Sequence, residues 1–379
     1  MKYELRQYDN LLLTFYLDRM ELGQLFYAID YVNKDLPHLL PTGLQPTSES
    51  LAKWLASRVI PKNREYVDQI LSRSGLSHND TIGIISLCKG LSLNDSYWVV
   101  EEGFHGKFAD YNLYKNSFAR TLALIAYTGY GSNTHKGFTS SPEYTTNGML
   151  RKCWRRDRGK IYLYKGGTSG AANLGKEPFS EFYAAQIAEK MGIFHVSYNL
   201  AKWKDTLCST CELFTDIDTS YVPIYRFLEQ PNLKNTVEFL RNLGVEFFDA
   251  FCDMIVFDAL VYNTDRHFGN FGLLVDNKTN NPKGFAPLFD HGLSLFSHAM
   301  ESDLLELDIY AKSQMPHFRN VTHDELVREF ITERQRAQLR KLINFKFKKH
   351  SRYNLPANRL KTIEKFMQKR IQELLNIKK

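Results

Sequence analysis

The amino-acid sequence predicts an α+β fold with two lobes, a small β-rich lobe and then a helical lobe, behind an N-terminal accessory domain. Strand patterns precede a long helical pattern, and the polar loop NTDRHFGNFG at residues 263–272 directly follows that helix. A second aspartate, Asp290, stands in APLFDHG beyond the next strand pattern. We expect the accessory domain at residues 1–115, the β-rich lobe at 116–214 and the helical lobe at 215–379.

Composition predicts a globular protein of a reducing compartment. The chain has 379 residues, and an apolar content of 43% is enough for sizeable cores. Its charged start, MKYELRQYD, does not resemble a secretory signal, and no apolar run reaches membrane-spanning length, so we expect a cytoplasmic protein. Five cysteines, an odd number, argue against a disulfide framework. The lone CxxC at Cys208 and Cys211 indicates a buried strand rather than a zinc site.

Positive charge is concentrated at the C-terminal end. Residues 333–379 contain 15 Lys or Arg and 3 Asp or Glu, a net +12, which leaves −5 for residues 1–332. Such a stretch could bind nucleic acid or an acidic partner. We favour a solvated helix face, because apolar residues recur there at helical spacing with lysines between them: Leu360, Ile363, Phe366, Met367, Ile371 and Leu374.

The accessory domain shows no residues that suggest chemistry. Residues 3–17 alternate as a strand does, residues 36–46 form a connection broken by Pro and Gly, and helical patterns dominate from Ser50, with a break at Pro61. This part closes near Val100. Its large aromatic side chains are expected in the core: Trp54, Tyr97 and Trp98.

A polar run at residues 127–148, rich in Gly, Ser, Thr and Asn, predicts a mobile loop. Gly129 and Gly131 give a GxG pattern, but Thr134 takes the third glycine position and no GxxxxGK follows. The sequence therefore contains neither a dinucleotide-binding fingerprint nor a Walker A loop in this run.

The next predicted elements are a strand that ends in a lysine and a helix that begins with a glutamate in its first turn. The segment MLRKCWRRDRGKIYLYKGG reads as two strands joined by a charged turn, and Lys165 ends the second strand. Sixteen residues later Glu181 stands in the first turn of a predicted helix, which begins near Pro178 and ends at Gly192. A strand lysine paired with a helix glutamate is the kinase arrangement that directs an ammonium group at nucleotide phosphates.

The loop after the long helix has the residue types of a phosphoryl-transfer site. Apolar residues at helical spacing deliver the chain to this loop: Phe248, Phe251, Ile255, Ala259 and Tyr262. Asp265 would orient the attacking hydroxyl, while Asn270 and Asp290 are hard oxygen ligands that suit magnesium. A polar turn alone would explain the loop but not the ordered Lys165, Glu181 and Asp290 around it. Arg266 is expected to pair with an acidic group and His267 to pack, and we expect neither to be catalytic.

These motifs resemble the HipA-like kinases, bacterial enzymes with a protein-kinase-like fold of two lobes. The resemblance runs from about Phe118 to the C-terminus and is strongest at 263–292, through DRHFGN and LFDHG, with looser matches in TTNGMLRK and TCELFT. It implies that Asp265 is the catalytic aspartate and that Asn270 and Asp290 hold Mg²⁺. It also implies that Lys165 grips the phosphates of ATP and that Glu181 positions this lysine.

The same resemblance implies a phosphate loop containing Gly148 and Lys152, and an adenine-binding hinge from Glu212 to Phe214. Members of the family transfer the γ-phosphoryl group of Mg-ATP to serine or threonine of protein substrates. Some are toxins that a small helix-turn-helix antitoxin restrains. Toxins of this type are silenced by autophosphorylation of a serine in the phosphate loop. Here threonines, Thr145 and Thr146, stand near that place.

Other functions remain open at the level of sequence. Phosphatidylinositol kinases also use a DRHxxN loop followed by an aspartate, so a lipid or small-molecule kinase is an alternative. The chain could also be a nucleotide-binding regulator without catalysis, or a nucleic-acid-binding protein acting through its basic C-terminal stretch. The intact set of Asp265, Asn270 and Asp290 favours an enzyme.

Overall fold

The structure is a computed structural model that describes residues 1–20, 24–131, 141–170 and 174–378. The part of the predicted loop that includes Thr134, residues 132–140, lies outside the described residues. The chain forms two compact units. The first comprises Met1–Leu163, Thr215–Val222 and Leu274–Lys283, and the second comprises Tyr164–Phe214, Pro223–Leu273 and Gly284–Lys379.

Strands and helices alternate along the chain in groups. The strands are β1 (Lys2–Gln7), β2 (Asn10–Arg19), β3 (Leu25–Val32), β4 (Tyr97–Glu101), β5 (Lys152–Asp157), β6 (Lys160–Gly166), β7 (Tyr198–Trp203), β8 (Thr206–Glu212), β9 (Thr219–Pro223), β10 (Gly272–Asp276) and β11 (Pro282–Phe285). The helices of the first unit are α1 (Ser48–Ala56), α2 (Val67–Ser72), α3 (Thr81–Cys88), α4 (Phe108–Tyr111) and α5 (Arg120–Thr128). Those of the second are α6 (Glu177–Met191), α7 (Leu233–Leu243), α8 (Val245–Val261), α9 (Glu301–Leu305), α10 (Leu307–Ser313), α11 (His323–Phe330), α12 (Glu333–Arg340) and α13 (Ala357–Asn376).

The first unit contains a four-stranded antiparallel sheet of order β3-β2-β1-β4. One face of this sheet packs on α1, and Trp54 of that helix is buried together with Tyr97 of β4. Trp98 is also buried, so the predicted core aromatics are confirmed. The predicted strand over 3–17 is instead two strands, because the chain turns at Tyr8 in the left-handed conformation. Two strands of a hairpin alternate as one strand does, so the pattern did not reveal the turn.

Two further groups of strands include residues of the first unit, and one of them contains β6, the strand that carries Lys165. Strands β5 and β6 are neighbours joined by the turn Arg158–Gly159, with both residues at positive φ, which confirms the predicted pair of strands and charged turn. A further sheet has the order β11-β10-β9, and most of β9 and β10 belongs to this unit.

Helices dominate the second unit. Helix α6 contains Pro178 in its first turn and ends at Gly192, with φ +82°, as predicted. Helix α8 is buried along most of its length and stops at Tyr262, with φ +50°, which confirms the predicted helix before the loop. The strand order continues from β6 through β8 to β7, and Cys208 is buried on β8, as the strand prediction required.

The C-terminal helix α13 buries the six apolar residues that define its predicted face, so the predicted amphipathic helix is confirmed. Among the described residues, no helix has the length and hydrophobicity that crossing a bilayer requires.

Candidate active site

The second unit brings Lys165, Glu181 and Asp290 into direct contact. Lys165 lies near the end of β6, and its Nζ donates a hydrogen bond of 2.9 Å to Glu181 Oε1 in the first turns of α6. The same ammonium donates to the carboxylate of Asp290. Only 12% of the Lys165 side chain and 1% of the Glu181 side chain are exposed. The three residues therefore form one cluster, although 125 positions separate Lys165 from Asp290 in the sequence.

The two carboxylates stabilise the charged form of Lys165. Burial by itself would lower the pKa of Lys165, but the carboxylates of Asp290 and Glu181 outweigh burial and raise that pKa above its ordinary value. Lys165 is therefore a permanent cation. Glu181 also accepts a hydrogen bond of 3.1 Å from the backbone amide of His291 through Oε2. One carboxylate thus positions both the lysine and the segment that carries Asp290.

The predicted catalytic loop follows Tyr262 and is closed by local hydrogen bonds. The amide of Asp265 donates to Asn263 Oδ1 at 3.1 Å, and Asn270 Nδ2 donates to the Asp265 carbonyl at 2.9 Å. Since Nδ2 is the donor, Oδ1 of Asn270 is the atom that could bind a metal. Burial and the negative charge of Asp290 raise the pKa of the Asp265 carboxyl. The negative charge of Asp290 therefore acts on the Asp265 carboxyl within the same unit.

Arg266 forms the buried core of this loop. Its guanidinium binds Asp258 of α8 with two hydrogen bonds, 2.8 Å from Nε and 3.0 Å from Nη2. Its Nη1 donates to the carbonyl of Asn270 at 2.9 Å and to the carbonyl of Phe289 at 2.6 Å. The predicted pairing of Arg266 with an acidic group is confirmed. One side chain therefore joins α8, the loop and the residue before Asp290.

Sequence reasoning missed Asp258, although a signal was present. An aspartate inside the apolar run DMIVFDALV of a buried helix requires a partner, and that partner is Arg266. His267 accepts a hydrogen bond of 3.0 Å from the amide of Gly269 through Nδ1, and burial lowers its pKa. This contact agrees with a packing role for His267.

The predicted phosphate-loop residues lie in the first unit. Gly148 has φ +92°, and a Cβ there would collide with Lys152 Nζ, which donates at 2.8 Å to the Asn147 carbonyl. The hydroxyl of Thr145 donates to the Leu91 carbonyl at 2.7 Å. The hydroxyl of Thr146 donates to the Pro142 carbonyl at 2.6 Å.

The predicted adenine hinge lies at the end of β8 in the second unit. Glu212 is exposed, and the Phe214 ring packs against Phe289 with 5.5 Å between ring centroids. The hinge assignment stays a prediction, as do the phosphate-loop assignment and the roles of the other site residues.

The donor set near the loop suits a hard cation. Asn270 and Asp290 would supply amide and carboxylate oxygens, which Mg²⁺ prefers when nucleotide phosphates and water complete its shell. In the described ranges, no three or more His, Cys, Asp or Glu are grouped so as to hold a metal ion. A magnesium site with two protein ligands does not require such a group.

A curated relative resembles part of the chain. The serine/threonine-protein kinase CtkA of Helicobacter pylori is 29% identical over 143 residues, which make up 32% of this chain and 41% of CtkA. The matched region thus spans less than half the length of that relative. The crystal structure of the Helicobacter pylori proinflammatory kinase CtkA aligns with a TM-score of 0.43 and 19% identity, over 60% of this chain and 90% of CtkA.

A second solved structure shares the fold over the whole chain. HipA, in the HipA, HipB and operator DNA complex of Shewanella oneidensis MR-1, aligns with a TM-score of 0.55 and 12% identity over 100% of both chains. This similarity confirms the predicted α+β fold of the protein-kinase-like class. Residues 145–372, more than half of the sequence, match the family model of the HipA-like kinases. The chain therefore belongs to the HipA-like kinase family.

Proposed function

We propose that this chain is a protein kinase that transfers the γ-phosphoryl group of Mg-ATP to a serine or threonine of a protein substrate. The observation that carries the proposal is the contact of one buried lysine, Lys165, with both Glu181 and Asp290. Membership of the HipA-like kinase family and the likeness to the serine/threonine-protein kinase CtkA support it.

Each residue of the site would have a separate role in such a reaction. Lys165, a permanent cation, would bind the phosphates, and Glu181 would hold it in place. Asn270 and Asp290 would hold Mg²⁺, which supplies charge neutralisation on the phosphates when bound. Asp265 would orient the acceptor hydroxyl and accept its proton. Its raised pKa suits that role, because a carboxylate with a higher proton affinity is the better base.

Further assignments rest on the family. Gly148 and Lys152 would bind phosphates, Glu212 to Phe214 would bind adenine, and the chain would comprise an accessory domain, a β-rich lobe and a helical lobe. A cytoplasmic location, a toxin role and a small helix-turn-helix antitoxin are part of the proposal. The support for such a partner is that the HipA structure contains HipB and operator DNA.

Autophosphorylation is also part of the proposal. Thr145 and Thr146 are the acceptor candidates near the phosphate loop. Both hydroxyls donate to backbone carbonyls, so each would have to break that hydrogen bond before it could accept a phosphoryl group.

The test is phosphoryl transfer from labelled ATP with Mg²⁺, performed with the protein alone and with a bacterial lysate. We expect labelled serine or threonine, with Asp265→Ala and Asp290→Ala each reducing the rate by on the order of 10²–10⁴. Asp308→Asn is the control, because this exposed carboxylate pairs with an exposed lysine, Lys369, at the surface. Equal labelling by wild type and both alanine variants contradicts the proposal. Label in the lipid fraction alone would instead support a lipid kinase.

A further inference from the structure

Two consecutive residues of the first unit, Arg64 and Glu65, bind the loop at residues 146–152 of that unit, which contains the predicted phosphate-loop residues Gly148 and Lys152. Arg64 Nη1 donates to the Thr146 carbonyl at 3.2 Å, and Nη2 donates to the Lys152 carbonyl at 2.6 Å. These carbonyls belong to the first and last residues of the loop. A single planar guanidinium therefore sets the separation between the two ends of the loop.

Glu65 binds the middle of the same loop. Its backbone amide donates to the Met149 carbonyl at 2.8 Å, and its Oε2 accepts from the Arg151 amide at 3.0 Å. Its Oε1 lies 2.7 Å from Nη2 of Arg151. The Glu65 side chain is 27% exposed. Arg64 and Glu65 together contact four of the seven loop residues, although more than 80 residues separate them along the chain.

Several features around Arg64 cost folding free energy instead of contributing to it. Arg64 and Glu143 are buried, with 3.9 Å between Nη2 and Oε2. Among the described residues, neither Arg64 Nε nor Glu143 Oε2 has a hydrogen-bond partner. The next residue, Tyr66, has φ +64°, a conformation that costs an aromatic residue energy. A buried ion pair of this kind adds little net stability, so these features suggest a positional role.

These contacts determine which backbone groups the loop presents. The carbonyls of Thr146, Met149 and Lys152 are bound by Arg64 and Glu65, and the Asn147 carbonyl is bound by Lys152 Nζ. In the described part of the chain, no atom accepts a hydrogen bond from the amides of residues 147–150, which lie at the surface or close to it. A run of backbone amides without internal acceptors is a typical anion-binding surface.

We propose that Arg64 and Glu65 are positioning residues that hold the loop at 146–152 with its amides directed to the phosphates of a nucleotide. The inference rests on the proposed function, because it assumes that this loop binds the phosphates of Mg-ATP. It adds a role for the predicted accessory domain: nucleotide affinity depends on two of its residues, Arg64 and Glu65, through the loop that they bind.

Two sets of substitutions separate this role from general stability. Glu65→Ala removes both side-chain contacts to Arg151 from a partly exposed site. Arg64→Met combined with Glu143→Gln removes both buried charges together, and glutamine keeps the carbonyl oxygen that accepts from the Trp154 amide.

The matched control for Glu65→Ala is Asp95→Ala, in the same unit. Asp95 also pairs with an arginine, Arg58 at 2.9 Å, and also accepts from a backbone amide, that of Tyr97 at 3.0 Å. Both of these partners of Asp95 lie outside the loop at 146–152. The control therefore loses the same kinds of interaction as Glu65→Ala at a different place.

The experiment measures the Kd of Mg-ADP by calorimetry and the hydrogen exchange of residues 146–152, for the wild type, both variants and the control. We expect the Kd to rise roughly five- to fiftyfold in both variants, as the loss of one or two ordering hydrogen bonds implies. Exchange of the Arg151 amide, which donates to Glu65 Oε2, should become faster in both, and Asp95→Ala should match the wild type in both measurements. A Kd unchanged in both variants, or loop exchange unchanged, overturns the anchoring role while Mg-ADP still binds. A wild-type protein that binds no Mg-ADP overturns the proposed function as well.

Discussion

Arg266 connects the predicted catalytic loop to helix α8 and to the residue before Asp290. It is 1% exposed and binds carbonyls on both sides of the site, those of Asn270 and Phe289. Its charge is compensated by Asp258, which also accepts a hydrogen bond of 2.9 Å from Asn263 Nδ2. A buried cation with a full set of partners is costly to disturb, because removal of one partner leaves an uncompensated charge.

Asp258→Asn should therefore destabilise the protein far more than loss of a surface ion pair does. The variant keeps the size of the side chain but leaves the Arg266 guanidinium buried beside a neutral amide. We expect the free energy of unfolding to fall by about 3–5 kcal/mol, measured by urea unfolding. Asp308→Asn, which breaks the exposed pair with Lys369, should leave the unfolding midpoint close to wild type. Equal effects of the two substitutions would show that Arg266 is not the anchor of the loop.

The sequence predicted residues whose roles follow from local order, and missed those whose partners are distant. Lys165 and Glu181 were found because a strand end and a first helical turn fix their positions. The role of Asp258 within the apolar helix α8 was missed, because hydrophobic periodicity does not reveal which group a buried carboxylate contacts. Arg64 and Glu65 gave no signal, because their partners lie more than 80 residues away and are mostly backbone groups.

Among the secondary-structure elements, α8 carries the loop and α11 supports the point where α8 ends. Tyr262 closes α8, and its ring packs on Phe296, Phe366 and His323 with centroid distances of 5.3, 5.8 and 5.2 Å. His323 is the first residue of α11, behind the capping box of Thr322. Long helices such as α8 and α13 were predictable, whereas helices of five to eight residues carry too few turns to show a period.

His323 should make the second unit sensitive to acid. Burial, and then the positive charge of Arg370, lower its pKa from 6.5 to about 3. Between these two values the unfolded chain binds a proton that the folded chain does not. Stability therefore falls as the pH falls through this window, by up to about 1.4 kcal/mol per pH unit.

His323→Gln removes this titration and should flatten the dependence of Tm on pH between 6.5 and 4. The measurement is thermal unfolding of wild type and variant across that range, with His78→Gln as the control. His78 is a partly exposed histidine of the first unit that pairs with the exposed Asp68. Parallel pH profiles of wild type and His323→Gln would contradict the expectation.

Across the whole molecule, the charge of the C-terminal stretch is partly matched within the second unit. Several of its cations contact carboxylates outside the stretch: Arg334 with Asp253, Lys369 with Asp308, and Arg370 with Asp324. With one face of α13 buried, the +12 of this stretch does not by itself require nucleic acid. Net charge was readable from the sequence, whereas its compensation depends on pairs that only the fold creates.

At the proposed site the balance is the opposite, because Lys165 faces the carboxylates of Glu181 and Asp290, and the charge of Asp290 also acts on Asp265. A bound cation should relieve this excess of negative charge, so ATP should stabilise the protein much more with Mg²⁺ than with EDTA. At a nucleotide concentration a hundred times Kd, linkage gives about 2.7 kcal/mol, or a rise in Tm of about 3–4 °C for a chain of 379 residues. Asp290→Asn should lose most of the Mg²⁺-dependent part of this rise, because a neutral amide is a weaker ligand for a hard cation. A rise in Tm that is the same with EDTA as with Mg²⁺ would remove the metal from the proposed mechanism and leave only nucleotide binding.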